Sequence, residues 1–156
     1  VGYDWIPYQY RKPKVAMPEY LQQLYYEALV RLPDTQCYLR EFEKHEPDTA
    51  VINWFPPGSS LGMHVDKSED ERVRSLGNPI ITIALGADAD ILIGGFFSKS
   101  ELATKILMKS GDILVMHGAS RMRYHSVSKI HPNTSELEKF MKSAGRISIT
   151  MRRAKL

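Results

Sequence analysis

The chain has 156 residues, of which 43% are hydrophobic and 25% charged, a composition typical of a folded domain rather than a disordered chain. Its formal net charge of +3 permits a polyanionic partner without requiring one. The single cysteine, Cys37, excludes an internal disulfide and favours a reducing intracellular compartment, whether nucleus, cytoplasm or mitochondrion. The longest apolar run, Ile91 to Phe97, is far shorter than the ~20 residues of a membrane-spanning helix, and no signal peptide is recognisable at Val1.

The N-terminal arm, residues 1–14, interleaves tyrosines and a tryptophan with three cationic side chains. Pro7 and Pro13 exclude a helix interior in this arm. Its aromatic rings could pack on the core of the domain. Alternatively, they could form a lid that stacks on flat ligands while the cations bind phosphates. The composition favours neither interpretation.

Pro18 begins a predicted helix that runs to about Arg31, because proline is well tolerated in the first helical turn. Apolar residues recur there at three- and four-residue steps and form one face: Leu21, Leu24, Tyr25, Ala28, Leu29 and Leu32. We interpret this helix as scaffold. Residues 34–49 are mixed and polar, and we expect a short strand and a loop there.

From Ala50 onward the sequence changes to short apolar and β-branched segments separated by glycine and proline turns. The predicted strands are Ala50–Phe55, Pro79–Leu85, Asp90–Ile93, Thr104–Met108, Ile113–Met116, Arg123–Val127 and Arg146–Arg152. Residues 67–78 and 126–145 are predicted to be loops. This pattern is typical of an all-β sandwich, jelly roll or barrel.

A metal site is indicated by His64 and Asp66, which lie two residues apart. In an extended chain such side chains leave the same face, so an imidazole and a carboxylate converge as two members of a 2-His-1-carboxylate iron site. The third ligand is open between His117 and His125, since both lie among the predicted strands. His117 is the weaker candidate, because it precedes Gly118 in an expected turn.

The remaining histidines have no such placement. We expect His45 and His131 to be solvated surface residues, because the first lies in a polar segment and the second beside Pro132 in a predicted loop.

The last predicted strand has two different faces. Alternation places Arg146, Ser148, Thr150 and Arg152 together, and isoleucines and a methionine on the opposite, buried face. A guanidinium matches a carboxylate or phosphate with two parallel hydrogen bonds. The polar face therefore suits a dicarboxylate or a phosphate, although two arginines on an ordinary solvent-facing strand would give the same pattern.

In order along the chain, these features resemble the AlkB family of Fe(II)- and 2-oxoglutarate-dependent dioxygenases, with the look of its ALKBH-one-type members. The resemblance runs from about residue 50 to the C-terminus and extends more weakly over the arm and first helix. It is carried by Asn53-Trp-Phe-Pro-Pro-Gly58, His64-Val-Asp66, Gly94-Gly95, Ser110-Gly111-Asp112, Ser120-Arg121-Met-Arg-Tyr-His125 and Arg146-x5-Arg152.

The resemblance implies a mainly β fold with flanking helices: a double-stranded β-helix (jelly-roll) core at residues 50–156, with a lid and helix at 1–49, in one domain. It implies that His64, Asp66 and His125 hold Fe(II), and that O2 and 2-oxoglutarate are co-substrates. Arg152 would pair with the distal carboxylate of 2-oxoglutarate, and Arg146 would support its other end.

The other positions carried over concern the co-substrate and the substrate. Asn53 matches an asparagine that contacts 2-oxoglutarate, Phe55 stands where many members have tyrosine, and Ser148 stands where some have asparagine. Tyr3 and Tyr10 fall where the family places aromatic residues that stack on a flipped base, which favours the lid interpretation. Ser68 replaces an acidic residue that some members direct at the base.

The activity implied is oxidative demethylation of bases such as 1-methyladenine or 3-methylcytosine in DNA or RNA, in repair or RNA modification. The alternative keeps the iron site and changes the substrate to a protein or small molecule. A third interpretation is a binding module without working iron, since a fold does not determine a function.

Overall fold

The structure is a computed structural model and describes residues 3–4, 9–10 and 16–155. Residues 3–4 and 9–10 form two short strands, β1 (Tyr3–Asp4) and β2 (Gln9–Tyr10), which pair antiparallel with Tyr3 opposite Tyr10. The side chains of Tyr3 and Tyr10 lie outside the described part of the chain, so their predicted stacking on a base stays a prediction.

Eight further strands form two antiparallel four-stranded sheets. Their bounds are β3 Thr49–Phe55, β4 Leu61–His64, β5 Ile80–Gly86, β6 Asp88–Ile93, β7 Thr104–Met108, β8 Ile113–Met116, β9 His125–His131 and β10 Arg146–Arg152. The first sheet has the order β3-β10-β5-β8 and the second the order β4-β9-β6-β7. Strands distant in sequence are therefore neighbours in space. The predicted mainly β fold with a jelly-roll core is confirmed.

The helices flank these sheets. Their bounds are α1 Glu19–Val30, α2 Gln36–Arg40, α3 Phe42–His45 and α4 Glu71–Ser75, with 3-10 turns at Pro33–Thr35, Gly118–Met122 and Glu136–Phe140. In the described part of the chain, no helix has the length and apolar character needed to cross a membrane. The prediction of α1 is confirmed, with Pro18 immediately before its first residue.

Three predictions of local structure are wrong. Residues 34–49 form two short helices before β3 begins, instead of a strand and a loop. The Thr35 hydroxyl donates to the carbonyl of Leu32 at 2.6 Å, which continues a turn where the polar composition suggested an extended segment. Residues 67–78 contain α4, and β9 continues to His131 inside the loop predicted over 126–145.

Two hydrophobic clusters hold the layers together. In the first cluster, Leu21, Tyr25 and Leu29 of α1 pack with Ile81 and Met151 of the first sheet. The second cluster combines residues of both sheets: Phe55, Ala84, Ala87, Ala89, Ile91, Met108 and Ile130. The first sheet is thus covered on both faces, which explains why β5 is apolar almost throughout.

Tyr25 ties α1 to the first sheet. Its side chain is fully buried, and its hydroxyl donates to the carbonyl of Pro79 at 3.0 Å. Tyr25→Phe should lower the free energy of unfolding by about 1–2 kcal/mol, because a buried carbonyl loses its donor. Urea unfolding measures this, with Tyr20→Phe as the control at a 65% exposed position of the same helix. Equal losses in the two variants would contradict the role of the hydrogen bond.

Candidate metal centre

The polar face of β10 lines a cavity between the two sheets. Arg146, Ser148, Thr150 and Arg152 are each at most 8% exposed and line this space of about 90 Å³. Pairing with β3 adds Phe55 opposite Arg146 and Asn53 opposite Ser148. The alternation predicted for β10 is present, and its polar face is turned into the molecule.

Three potential metal ligands converge at this cavity. His64 ends β4 and faces His125, the first residue of β9, across the strand pair. Asp66 follows two residues after His64. The ligand atoms of the three side chains lie within 4.8 Å of one another. His64 Nε2 is 3.7 Å from Asp66 Oδ1, and His125 Nε2 is 3.9 Å from Asp66 Oδ2. Of the two candidates left open by spacing, His125 is therefore the one beside His64 and Asp66.

Both imidazoles are oriented for a metal. His64 Nδ1 lies 2.8 Å from the carbonyl of Gly62, and His125 Nδ1 lies 3.1 Å from the carbonyl of Arg123. Since a carbonyl can only accept, each Nδ1 must carry the proton. In a neutral ring with this tautomer, Nε2 has its lone pair on the side of Asp66, as a metal ligand requires.

The charges also fit a divalent cation. Burial opposes ionisation of Asp66, but Arg152, His125, His64 and Arg121 outweigh it and hold the pKa of this carboxyl below its usual range. Burial lowers the pKa of His125, with Asp66 acting in the opposite direction. A carboxylate and two neutral imidazoles are the donor set of non-haem Fe(II) sites. The residues present therefore fit iron.

The shift of His125 predicts a pH dependence of stability. Because its folded pKa lies below the unfolded value of 6.5, the unfolded chain binds the proton more tightly, and stability decreases as the pH is lowered through that range. We expect the metal-free protein to be less stable at about pH 5 than at about pH 7, with a smaller loss in His125→Gln. Urea unfolding in the presence of a chelator measures both. The same loss in both proteins would show that His125 is not the cause.

Asp66 belongs to a network of two arginines and two carboxylates. Arg152 contacts Asp66 Oδ2 through Nη2 at 3.0 Å and Glu69 Oε1 through Nη1 at 2.8 Å. Arg121 donates to the backbone carbonyl of Asp66 at 2.6 Å and to Glu69 Oε1 at 2.5 Å. No role was predicted for Glu69 or Arg121 from the sequence. Glu69 stands in a charged segment that resembles a solvated loop, yet its side chain is fully buried.

Arg146 lies at the other end of the cavity. It lies six positions before Arg152 along β10, about 20 Å at the usual rise of a strand. Its Nη1 donates to the carbonyls of Ala87 at 3.1 Å and Met108 at 3.0 Å. Burial lowers the pKa of Arg146, against the effect of Asp88 and Asp112. Arg146 thus donates to backbone carbonyls, whereas Arg152 contacts two carboxylates, one of which is the candidate metal ligand Asp66.

The remaining predicted residues lie as follows. Ser68 is half-buried between Asp66 and Glu69. His117 immediately precedes the 3-10 turn at Gly118–Met122, as expected for a turn residue. The expectation that His45 is a solvated surface residue is wrong: it is 7% exposed, and its Nδ1 lies 2.5 Å from Asn78 Oδ1.

His131 also differs from its expected surroundings. It ends β9 instead of lying in a loop, and its Nε2 is 3.1 Å from Asp90 Oδ1 on the neighbouring strand β6. It is partly exposed and, by strand position, at the opposite end of β9 from His125.

Comparison with known proteins adds an independent finding. Residues 1–152 match the family model described as the 2OG-Fe(II) oxygenase superfamily. The chain is 32% identical over 135 residues to "tRNA demethylase abh1" of Schizosaccharomyces pombe, covering 85% of this chain and 41% of that protein. It is 35% identical over 92 residues to "Nucleic acid dioxygenase ALKBH1" of Homo sapiens, covering 59% of this chain and 22% of that protein. The match thus spans less than half the length of either relative.

A solved structure agrees with these sequence matches. "The structure of OsALKBH1" superposes with a TM-score of 0.74 at 27% identity, covering 88% of this chain and 64% of that one.

Proposed function

Because the chain belongs to the 2OG-Fe(II) oxygenase superfamily and, within it, to the AlkB family, we propose that it demethylates nucleic-acid bases by oxidation with O2 and 2-oxoglutarate. The observation that carries this proposal is the convergence of His64, Asp66 and His125 at one cavity, with both Nε2 atoms facing the carboxylate. Family membership implies Fe(II) and 2-oxoglutarate.

We propose that His64, Asp66 and His125 hold the iron. Iron held there would supply the reaction of O2 with 2-oxoglutarate, which gives succinate and CO2 and hydroxylates a methyl group that then leaves the base as formaldehyde. The protein keeps each imidazole in one tautomer through the carbonyls of Gly62 and Arg123. Arg152 holds Oδ2 of Asp66 and leaves Oδ1 beside His64.

The two arginines suggest how 2-oxoglutarate lies in the cavity. Arg152 is already paired with Asp66 and Glu69 at the metal end. Arg146 is buried at the other end, where Phe55, opposite it in the sheet, and nearby Asn53 and Ser148 line the same space. We therefore place the distal carboxylate of 2-oxoglutarate at Arg146 and its 2-oxo acid end towards Arg152. This order reverses the roles expected from the sequence.

A nucleic-acid substrate is supported by the surface beside the metal centre and by the names of the relatives, a tRNA demethylase and a nucleic acid dioxygenase. The loop at residues 94–103 is joined to Tyr124, the residue before β9: Gly94 N donates to Tyr124 O at 2.7 Å and Tyr124 N to Gly95 O at 2.9 Å. It presents Phe97 with 92% of its surface exposed, one residue after Phe96. Exposed aromatic rings beside a cation suit stacking on bases.

Arg123 provides that cation. Its guanidinium carbon lies 4.4 Å above the centre of the Phe96 ring, and its Nη1 donates to the carbonyl of Gly94. The aromatic ring of Phe96 and this charge are therefore held together, and Arg123 lies two residues before His125 in the sequence.

The test is succinate and formaldehyde release with Fe(II), ascorbate, O2 and 2-oxoglutarate. Single-stranded DNA and RNA oligomers carrying 1-methyladenine or 3-methylcytosine are compared with unmodified oligomers of the same sequence. We expect a methylated oligomer to increase succinate with equal formaldehyde, and its affinity to fall steeply with salt. Succinate without such stimulation would overturn the nucleic-acid substrate. No succinate from iron-loaded protein would overturn the oxygenase activity as well.

A further inference from the structure

We propose that Glu69 is a positioning residue that balances two arginines around Asp66, so that one carboxylate oxygen stays available to the metal. This inference rests on the proposed iron site. Glu69 Oε1 accepts from both Arg121 at 2.5 Å and Arg152 at 2.8 Å. The two guanidiniums that surround the metal-ligand segment are thereby joined through one buried carboxylate.

The contacts of Asp66 show what this balance achieves. Arg152 Nη2 lies 3.0 Å from Oδ2 of Asp66, while Oδ1 lies 3.7 Å from His64 Nε2. Arg121 contacts the backbone carbonyl of Asp66 and not its carboxylate. With Glu69 present, each arginine has a carboxylate partner and Asp66 Oδ1 remains beside His64.

Without the charge of Glu69, two guanidiniums would share one carboxylate. Arginine readily binds both oxygens of a carboxylate in parallel, so Arg152 would compete with the metal for Oδ1. An uncompensated positive charge would also stand beside the divalent cation in a site of low dielectric. Arg121, Arg152 and Glu69 are each at most 5% exposed, so solvent cannot screen this charge effectively.

Two substitutions that change the net charge of this network in opposite directions distinguish the proposed role of Glu69 from structural support alone. Glu69→Gln removes one negative charge from the network and so raises its net charge by one. Arg121→Gln removes one positive charge and lowers the net charge by one. We expect Glu69→Gln to raise the dissociation constant for Mn²⁺ about tenfold or more, as for other groups that orient metal ligands. Arg121→Gln should bind Mn²⁺ at least as tightly as the parent protein. The double variant Glu69→Gln/Arg121→Gln should return to within about threefold of the parent.

The experiment is a Mn²⁺ titration followed by electron paramagnetic resonance, without 2-oxoglutarate, on the 156-residue protein, whose fold is checked by circular dichroism. Glu71→Gln is the matched control, since it makes the same chemical change at an exposed site two residues away. A Glu69→Gln constant within twofold of the Glu71→Gln value would overturn the proposal. So would weaker binding in Arg121→Gln, which indicates structural support alone.

Two outcomes remain to be distinguished. If Glu69→Gln does not fold, Arg121→Gln and the double variant decide, because the double variant removes both members of a buried pair and leaves neither charge alone. If the parent protein binds no Mn²⁺, the proposed iron site fails, and this inference fails with it.

Discussion

Replacing Asp66 by asparagine should abolish both metal binding and turnover while leaving the fold in place. The amide is nearly the same size but neutral, and it cannot supply the carboxylate that the two imidazoles require. Arg152 also loses its ion pair with Asp66, so the melting temperature should fall without loss of the β-sheet signal. His64→Ala should have the same effect on activity, since the side chain removed carries Nε2.

The measurements are succinate formation and Mn²⁺ affinity, with circular dichroism as the check of folding. His131→Ala is the control, because it removes an imidazole from the same sheet at a position bonded to Asp90 instead of Asp66. We expect this control to keep its activity. Asp66→Asn with activity within about tenfold of the parent would refute the metal assignment.

Replacing Arg146 by glutamine should raise the KM for 2-oxoglutarate by about 10²-fold, because a buried charge partner of the distal carboxylate is lost. The kcat at saturating 2-oxoglutarate should change much less. Arg146→Lys should not restore the KM, since an ammonium cannot reproduce the planar fork of a guanidinium. The variants need a check of folding, because the carbonyls of Ala87 and Met108 lose their donor.

The matching experiment on Arg152 tests the proposed direction of 2-oxoglutarate. Arg152→Gln should weaken Mn²⁺ binding, since its guanidinium positions Asp66, and should affect the KM for 2-oxoglutarate less than Arg146→Gln does. Arg153→Gln is the control at the neighbouring, half-exposed position. A larger KM effect in Arg152→Gln, with Mn²⁺ affinity retained, would restore the roles expected from the sequence.

Local sequence patterns were sufficient for much of the β core. The strands Thr104–Met108, Ile113–Met116 and Arg146–Arg152 have the predicted bounds, because turn residues and β-branched runs act within a few positions. Residues 34–49 were not predictable in this way. Their helices depend on distant partners, such as the Tyr38 hydroxyl, which donates to the carbonyl of Gly77 at 2.9 Å. The burial of His45 likewise involves a distant partner, Asn78, which lies 33 positions later in the sequence.

The sequence by itself determined that His64 and Asp66 share a direction and that β10 has one polar face, since both follow from the two-residue period of a strand. It also determined the family, because several short motifs occur in one order. Only the tertiary structure places His125 opposite His64, separates Arg146 from Arg152 along the cavity, and brings Glu69 to Arg121. The contacts of His64 with His125 and of Glu69 with Arg121 join residues 61 and 52 positions apart. Strand pairing sets such distances, and spacing along the chain carries no information about them.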